Sequence, residues 1–197
     1  MTGPAPADLP LRERILAAEI KVPVRGNRRL GTLVDRVNAD AQIKGWWYAT
    51  GMNAQRLGMS DHSWVHIQIV TNIALRLARL LFRGGVQPAM VTDHGMTEKD
   101  AEVVIAAGAL LHCLGMGIHR QDHERFSLFL AADRLPGLLE GVYDDPERTV
   151  VVAEALHAII SHRSKGQPFT IEGAIVRVAD ALDMAKGRAR PFAMSSA

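Results

Sequence analysis

The stretch "VVIAAGALLHC", residues 103–113, decides the fold class of this chain. From Val103 to Leu111 it is apolar on nearly every face of a helix, a pattern typical of a central helix that is buried on all sides. The next two residues are His112 and Cys113, and Cys113 is the single cysteine among 197 residues. The sequence therefore puts an imidazole and a thiol side by side at the end of a core helix.

Helical periodicity extends on both sides of this stretch, and strand patterns are nearly absent. Thr97 and Asp100 form a capping box that starts the central helix, and Gly115 and Gly117 end it. We predict the other helices over residues 11–20, 29–58 (as one or two helices), 61–83, 121–134, 146–163 and 171–186. The predicted fold class is all-α.

Composition narrows the functional classes. Hydrophobic residues make up 48% and charged residues 22% of the chain, an ordinary globular balance. The formal net charge of +2 is too even for a nucleic-acid or membrane surface. A single cysteine excludes an intramolecular disulfide. The first ten residues lack the pattern of a secretory signal. The apolar run 103–111 is too short to span a bilayer. We expect a soluble, cytoplasmic protein that binds neither membrane nor nucleic acid.

Histidines are the residues with metal-binding chemistry in this chain, which contains 8 of them. The pairs His62/His66 and His119/His123 have the four-residue spacing that places two imidazoles on one helical face, where they can hold a transition metal. Such pairs are also common without a metal. His66 lies on an apolar face and His112 ends the core helix, so both are predicted to be buried. A buried imidazole needs a partner, which leaves a metal and a structural hydrogen bond as open alternatives.

The late segment "TIEGAIVRVADALDMAKGR", residues 170–188, contains two aspartates. Its apolar stripe runs through Ile171, Ile175, Val178 and Leu182. Asp180 and Asp183 lie opposite this stripe, so periodicity alone predicts that both carboxylates face solvent.

Several blocks, taken together and in this order, resemble the HD-domain superfamily of metal-dependent phosphohydrolases, and most closely a prokaryotic group of predicted hydrolases. The blocks are "VRGNRRL" (24–30), "DHSWVH" (61–66), "HRQDHERFS" (119–127) and "FTIEGAIVRVADALDMAKGRARPF" (169–192). The resemblance implies an HD-domain-like helical bundle over residues 21–192, with an N-terminal segment 1–20 and a tail 193–197.

The resemblance also implies a metal site. The ligand positions fall on His66, His112, Cys113, His123, His162 and Asp180. Asp180 and Asp183 are the carboxylates that it connects with catalysis. The family chemistry implies one or two divalent transition ions (Fe, Mn, Zn, Ni or Co) and hydrolysis of a phosphate ester, with a nucleotide as one candidate. Arginine can clamp phosphate, and four cations close in sequence to the ligands are candidates for binding a phosphorylated small molecule, although cations at a helix end also complement its dipole: Arg120, Lys186, Arg188 and Arg190.

Cys113 departs from the family pattern, which has aspartate directly after the second histidine. Three interpretations stay open: a thiolate ligand that favours zinc or another thiophilic ion, a passive small hydrophobe beside a weakened site, or a degenerate member that binds a ligand without turnover. Some superfamily members are di-iron oxygenases, but loss of the bridging carboxylate argues against that chemistry as well. The sequence leaves open whether the chain forms a homodimer.

Overall fold

The computed structural model describes residues 9–163 and 166–183, and these residues form an α-helical bundle. The helices match the predicted segments to within a few residues at most ends, and the segment predicted as one or two helices is two. The all-α prediction is confirmed. In chain order the helices are α1 (Leu11–Leu16), α2 (Arg28–Ala39), α3 (Ala41–Arg56), α4 (Trp64–Arg83), α5 (Ala89–Thr92), α6 (Glu98–Leu111), α7 (His123–Leu138), α8 (Glu147–Ser161) and α9 (Ile171–Leu182), with a 3-10 turn at Leu114–Gly117 between α6 and α7.

Helix α6 is the centre of the bundle, as its sequence predicts. Every residue from Val103 to Leu111 is buried, and α2, α4, α8 and α9 pack around it. The predicted capping box is present: the Thr97 hydroxyl accepts from the Asp100 amide at 3.3 Å, and the Asp100 carboxylate accepts from the Thr97 amide at 3.0 Å. Gly108 lets α8 approach closely, because a Cβ there would stand 2.9 Å from the Cβ of Ala158.

Within the described residues, two segments are long and apolar enough to cross a membrane by length and composition, Trp64–Arg83 and Glu98–Gly117. Both are part of the bundle. The second is 94% buried among the described residues, and the first is 44% buried, along the face that packs on α6 and α9. Packing in the core therefore accounts for their apolar composition.

The predicted solvent face of α9 is wrong. Val178 and Leu182, which we placed on the inner stripe, are 44% and 55% exposed, whereas Asp180 and Asp183 are 7% and 4% exposed. The inner face instead runs through Ile175, Val176 and Ala179 to Asp180. The apolar periodicity was misleading because the interior that this end of α9 faces is polar.

Asp100 connects α6 to two other parts of the chain. Besides closing the capping box, its buried carboxylate accepts from Arg29 Nη1 of α2 at 2.6 Å and from the hydroxyl of Tyr143 at 2.8 Å. Burial acts against the charged form, but the hydrogen bonds from Thr97, Tyr143 and Arg29 outweigh it and lower the pKa of Asp100.

Replacing Asp100 with asparagine is expected to lower the free energy of unfolding by about 2 to 3 kcal/mol at neutral pH, because the donors of Thr97, Arg29 and Tyr143 lose the charge of a buried acceptor. The folded pKa lies below the unfolded value of about 4, so this stabilisation is present above that pH and is lost as pH falls through the folded pKa. Urea denaturation from pH 3 to 7 measures both effects. The same change at the exposed Asp133 is the control; equal losses in the two variants would contradict the prediction.

Candidate metal centre

Helices α4, α6, α7, α8 and α9 bring the sequence-predicted metal ligands to one buried place. His66 lies in α4, His112 directly follows α6, His123 is the first residue of α7, and His162 directly follows α8. Asp180 comes from the last turns of α9. All four imidazoles are at most 3% exposed, and their rings form a chain with centroids 4.9 to 5.4 Å apart.

The Nδ1 atom of each of these imidazoles has a hydrogen-bond acceptor. His112, His123 and His162 donate from Nδ1 to the backbone carbonyls of Ala109, Arg120 and Ile159, at 2.7, 3.1 and 2.6 Å. His66 donates from Nδ1 to the carboxylate of Asp183 at 2.6 Å. Because Nδ1 carries the proton in each neutral ring, Nε2 is unprotonated and has a free lone pair. A fixed tautomer with a free Nε2 is the state in which histidine binds a metal.

The Nε2 atoms face one another and the Asp180 carboxylate. His123 Nε2 lies 3.2 Å from His162 Nε2, and Asp180 Oδ1 lies 3.5 Å from His66 Nε2 and 3.7 Å from His112 Nε2. Two nitrogens on one tetrahedral zinc ion stand roughly 3.3 Å apart, given Zn–N bonds of about 2.05 Å. In the part of the chain that the structure describes, three overlapping groups have donor atoms within 4.8 Å of one another: His66/His112/Cys113, Cys113/His123/His162 and His112/His162/Asp180.

The Nε2 atom of His112 is buried and has no hydrogen-bond partner among the described residues. An unpaired polar atom in a protein interior costs about 1 to 3 kcal/mol, so such atoms normally have a partner. A cation between the facing lone pairs would supply one. The residues present therefore fit a transition-metal ion.

Residues 60–185 match the family model of the HD domain, which is more than half of the chain. The chain belongs to the HD-domain family. This confirms the resemblance, and the family is a superfamily of metal-dependent phosphohydrolases that bind divalent metals. The chain is also similar to Uncharacterized protein MJ1020 of Methanocaldococcus jannaschii, at 37% identity over 139 residues. That match covers 71% of this chain and 54% of the relative, so the chain spans about half the relative's length. No solved structure matches the chain.

The electrostatics of this HD-domain site favour positive charge at its centre. Burial acts to raise the pKa values of Asp180 and Cys113, but the adjacent His112 and the other imidazoles lower both overall, that of Cys113 well below its usual range. Burial acts to lower the pKa of His112, but Cys113 and Asp180 raise it well above its ordinary value. Burial and the charge of His112 lower the pKa of His162 to about 3. The two acidic groups therefore favour positive charge among the imidazoles between them.

Helix α3 fixes the backbone that carries His112 and Cys113. Three of its side chains, spaced three residues apart, donate to carbonyls at the end of α6 and in the 3-10 turn. Trp47 Nε1 donates to Leu110 at 3.2 Å, Thr50 Oγ1 to Cys113 at 3.2 Å, and Asn53 Nδ2 to Met116 and Gly117 at 2.9 and 3.0 Å. Helix α3 precedes the residues matched by the family model, and no sequence pattern predicted this role for it.

Ser127 of α7 fixes the same turn from the opposite side. Its hydroxyl donates to the His112 carbonyl at 2.7 Å and accepts from the Gly115 amide at 2.9 Å. Because α7 begins with His123, this contact sets the position of His123 relative to His112. Ser127 ends the block "HRQDHERFS", one turn after His123, but the sequence did not predict these two hydrogen bonds.

The helical-pair interpretation is wrong for both histidine pairs. His62 precedes α4 and His119 precedes α7, so neither shares a helix with its partner four residues later. His119 is exposed, and its Nδ1 accepts from the Gln121 amide. His62 is nevertheless buried beside the site, with its ring 5.1 Å from that of His66. Proximity here comes from the tertiary fold and not from helical spacing.

Of the four predicted phosphate-binding cations, the structure describes one, Arg120. Arg120 is half-buried, and its carbonyl accepts from His123, which places its backbone next to the site. Lys186, Arg188 and Arg190 lie outside the described residues.

Proposed function

We propose that this HD-domain chain hydrolyses a phosphate ester of a small molecule, with a nucleotide as the first candidate, using a divalent transition metal. The proposed ligands are His66, His112, His123, His162 and Asp180. The observation that supports this most strongly is the common orientation of four imidazoles, each with Nδ1 held by an acceptor and Nε2 facing the same centre. Hydrogen-bonded core histidines would have no reason to share this orientation.

A bound divalent ion supplies Lewis-acid polarisation of the phosphoryl group and a water of lowered pKa. The chain's own residues prepare the site for it. Asp183 holds the proton of His66 on Nδ1 and orients the ring, so it is a positioning residue. Asp180 contributes a charged oxygen that offsets part of the positive charge of the ion. We assign binding of the phosphate oxygens to Arg120, together with Lys186, Arg188 and Arg190, since guanidinium groups can clamp phosphate with two hydrogen bonds.

A non-catalytic role is the second candidate, and Cys113 is the observation that favours it. The family has aspartate at this position, and its two hard oxygens can contact two ions at once. A cysteine offers one soft sulfur. A chain that kept the fold and its histidines but lost this carboxylate could bind a metal or a phosphorylated ligand without turnover.

The test begins with metal analysis of the purified full chain, followed by phosphatase and phosphodiesterase substrates in the presence of Mn²⁺, Fe²⁺, Co²⁺, Ni²⁺ or Zn²⁺. The proposal expects turnover of at least one phosphate ester that is lost on chelation and restored by metal. Bound metal without turnover under any condition would favour the non-catalytic role. Activity that appears only in Cys113→Asp would show that the natural chain is a degenerate member.

A further inference from the structure

Cys113 lies between two pairs of histidines. Its sulfur belongs to one group of close donor atoms with His66 and His112, and to a second group with His123 and His162. The Sγ–Nε2 distance to His66 is 4.0 Å. The side chain is 3% exposed, and its backbone carbonyl is held by Thr50. Both donor groups therefore have this one sulfur in common, at a position that the backbone fixes.

The surroundings of the sulfur are those of a ligand. A passive small hydrophobe would be placed against carbon atoms, whereas Sγ is grouped here with four imidazoles whose Nδ1 atoms already donate elsewhere. One S–H proton can serve only one of these lone pairs. The Nε2 atom of His112, the residue next to Cys113, is fully buried and lacks a hydrogen-bond partner among the described residues. This atom makes no hydrogen bond within the part of the chain that the structure describes, although the Asp180 carboxylate lies 3.7 Å away, and this indicates that a cation belongs in the same space.

We propose that Cys113 binds the metal as a thiolate and that it makes the site select thiophilic ions such as Zn²⁺ or Co²⁺ over Mn²⁺ and Mg²⁺. The inference rests on the metal site of the proposed function but not on turnover. When the ion binds, a sulfur–metal bond forms, the S–H bond breaks, and the proton leaves to solvent. Thiolate is a soft donor that favours zinc-class ions, whereas the carboxylate of other family members suits harder ions. Cys113 is thus a determinant of metal specificity.

Cobalt(II) is the probe for this test, because cobalt–thiolate bonds give an intense charge-transfer absorption in the near ultraviolet that imidazole and carboxylate ligands do not give. The chain has a single cysteine, so any such band in the full-length protein comes from Cys113. The protein is stripped with a chelator and titrated with Co²⁺, with the spectrum and the bound cobalt measured together. We expect the band to grow in proportion to bound cobalt in the natural chain.

Two variants complete the experiment. Cys113→Ser keeps the size of the side chain but removes the thiolate, and it is expected to lose the band and to bind Co²⁺ on the order of 100-fold more weakly. Cys113→Asp is expected to lose the band and to raise the affinity for Mn²⁺ relative to Zn²⁺, on the order of tenfold. Circular dichroism checks that both variants remain helical.

The outcomes separate this inference from the proposed function. Cobalt bound to the natural chain without the band, or no cobalt bound at all, would overturn the thiolate assignment. An unchanged ratio of Mn²⁺ to Zn²⁺ affinity in a folded Cys113→Asp variant would overturn its role in selectivity. A cobalt–thiolate band in a chain that hydrolyses none of the phosphate esters tested would support the assignment while the proposed function fails.

Discussion

Replacing Asp180 with asparagine is expected to lower phosphate-ester hydrolysis on the order of 1000-fold. The change keeps the shape of the side chain but removes the one carboxylate whose oxygen lies 3.5 and 3.7 Å from the Nε2 atoms of His66 and His112. Metal-ion catalysis contributes several kcal/mol of charge stabilisation, and 1.4 kcal/mol corresponds to a factor of ten in rate. The measurement is kcat/KM at saturating metal, together with the metal affinity of the same variant.

The matched control is Asp35→Asn, which makes the same chemical change on the exposed face of α2 and is expected to leave activity and metal affinity unchanged. The metal titration distinguishes a ligand from a structural residue. Loss of activity together with weaker metal binding in a folded Asp180→Asn variant supports a ligand role. Full activity and unchanged metal affinity in that variant would contradict it.

The all-α fold and the burial of two site histidines were predictable because their signals are local. Helix α6 is apolar on nearly every face from Val103 to Leu111, and its first turn contains a complete capping box, so its burial follows from a short segment alone. His66 lies on the apolar face of α4 and His112 at the end of α6, so both imidazoles were correctly predicted to be buried. Their convergence with His123 and His162 was not visible in any spacing and came from the family resemblance.

The errors concern long-range features. The buried face of α9 was assigned to the wrong residues because Asp180 and Asp183 face a polar interior formed by α4 and α6. Hydrophobic periodicity cannot distinguish a polar interior from solvent. The α3 side chains that hold the turn after α6 act across 63 or 64 positions of sequence. Nothing local to Trp47, Thr50 or Asn53 indicates which carbonyls they will meet. Sequence patterns thus predict the burial of His66 and His112 better than they predict the residues that fix these histidines in place.

Replacing Gly115 with alanine is expected to prevent folding or to cost more than about 4 kcal/mol of unfolding free energy. A Cβ at this position would stand 2.0 Å from the carbonyl oxygen of His123 and 2.6 Å from the amide nitrogen of Ser127. Both are backbone atoms, so no change of rotamer can relieve the overlap, and the start of α7 has to move away from the turn that follows His112. Since His123 is the first residue of α7, metal binding is expected to weaken in the same variant.

Gly31→Ala supplies the matched comparison, because the same methyl group is added within α2, where no heavy atom lies within 4 Å of the new Cβ. There alanine is expected to raise the unfolding free energy by roughly 0.5 to 1 kcal/mol, since glycine is the poorer helix former. Urea denaturation of both variants measures whether each substitution lowers or raises the unfolding free energy. Cobalt titration of the folded protein then measures metal binding. A Gly115→Ala protein within 1 kcal/mol of the natural chain would mean that α7 can shift at little cost. In that case, unaltered cobalt binding would show that the separation of His112 and His123 is not set by this close approach of backbones.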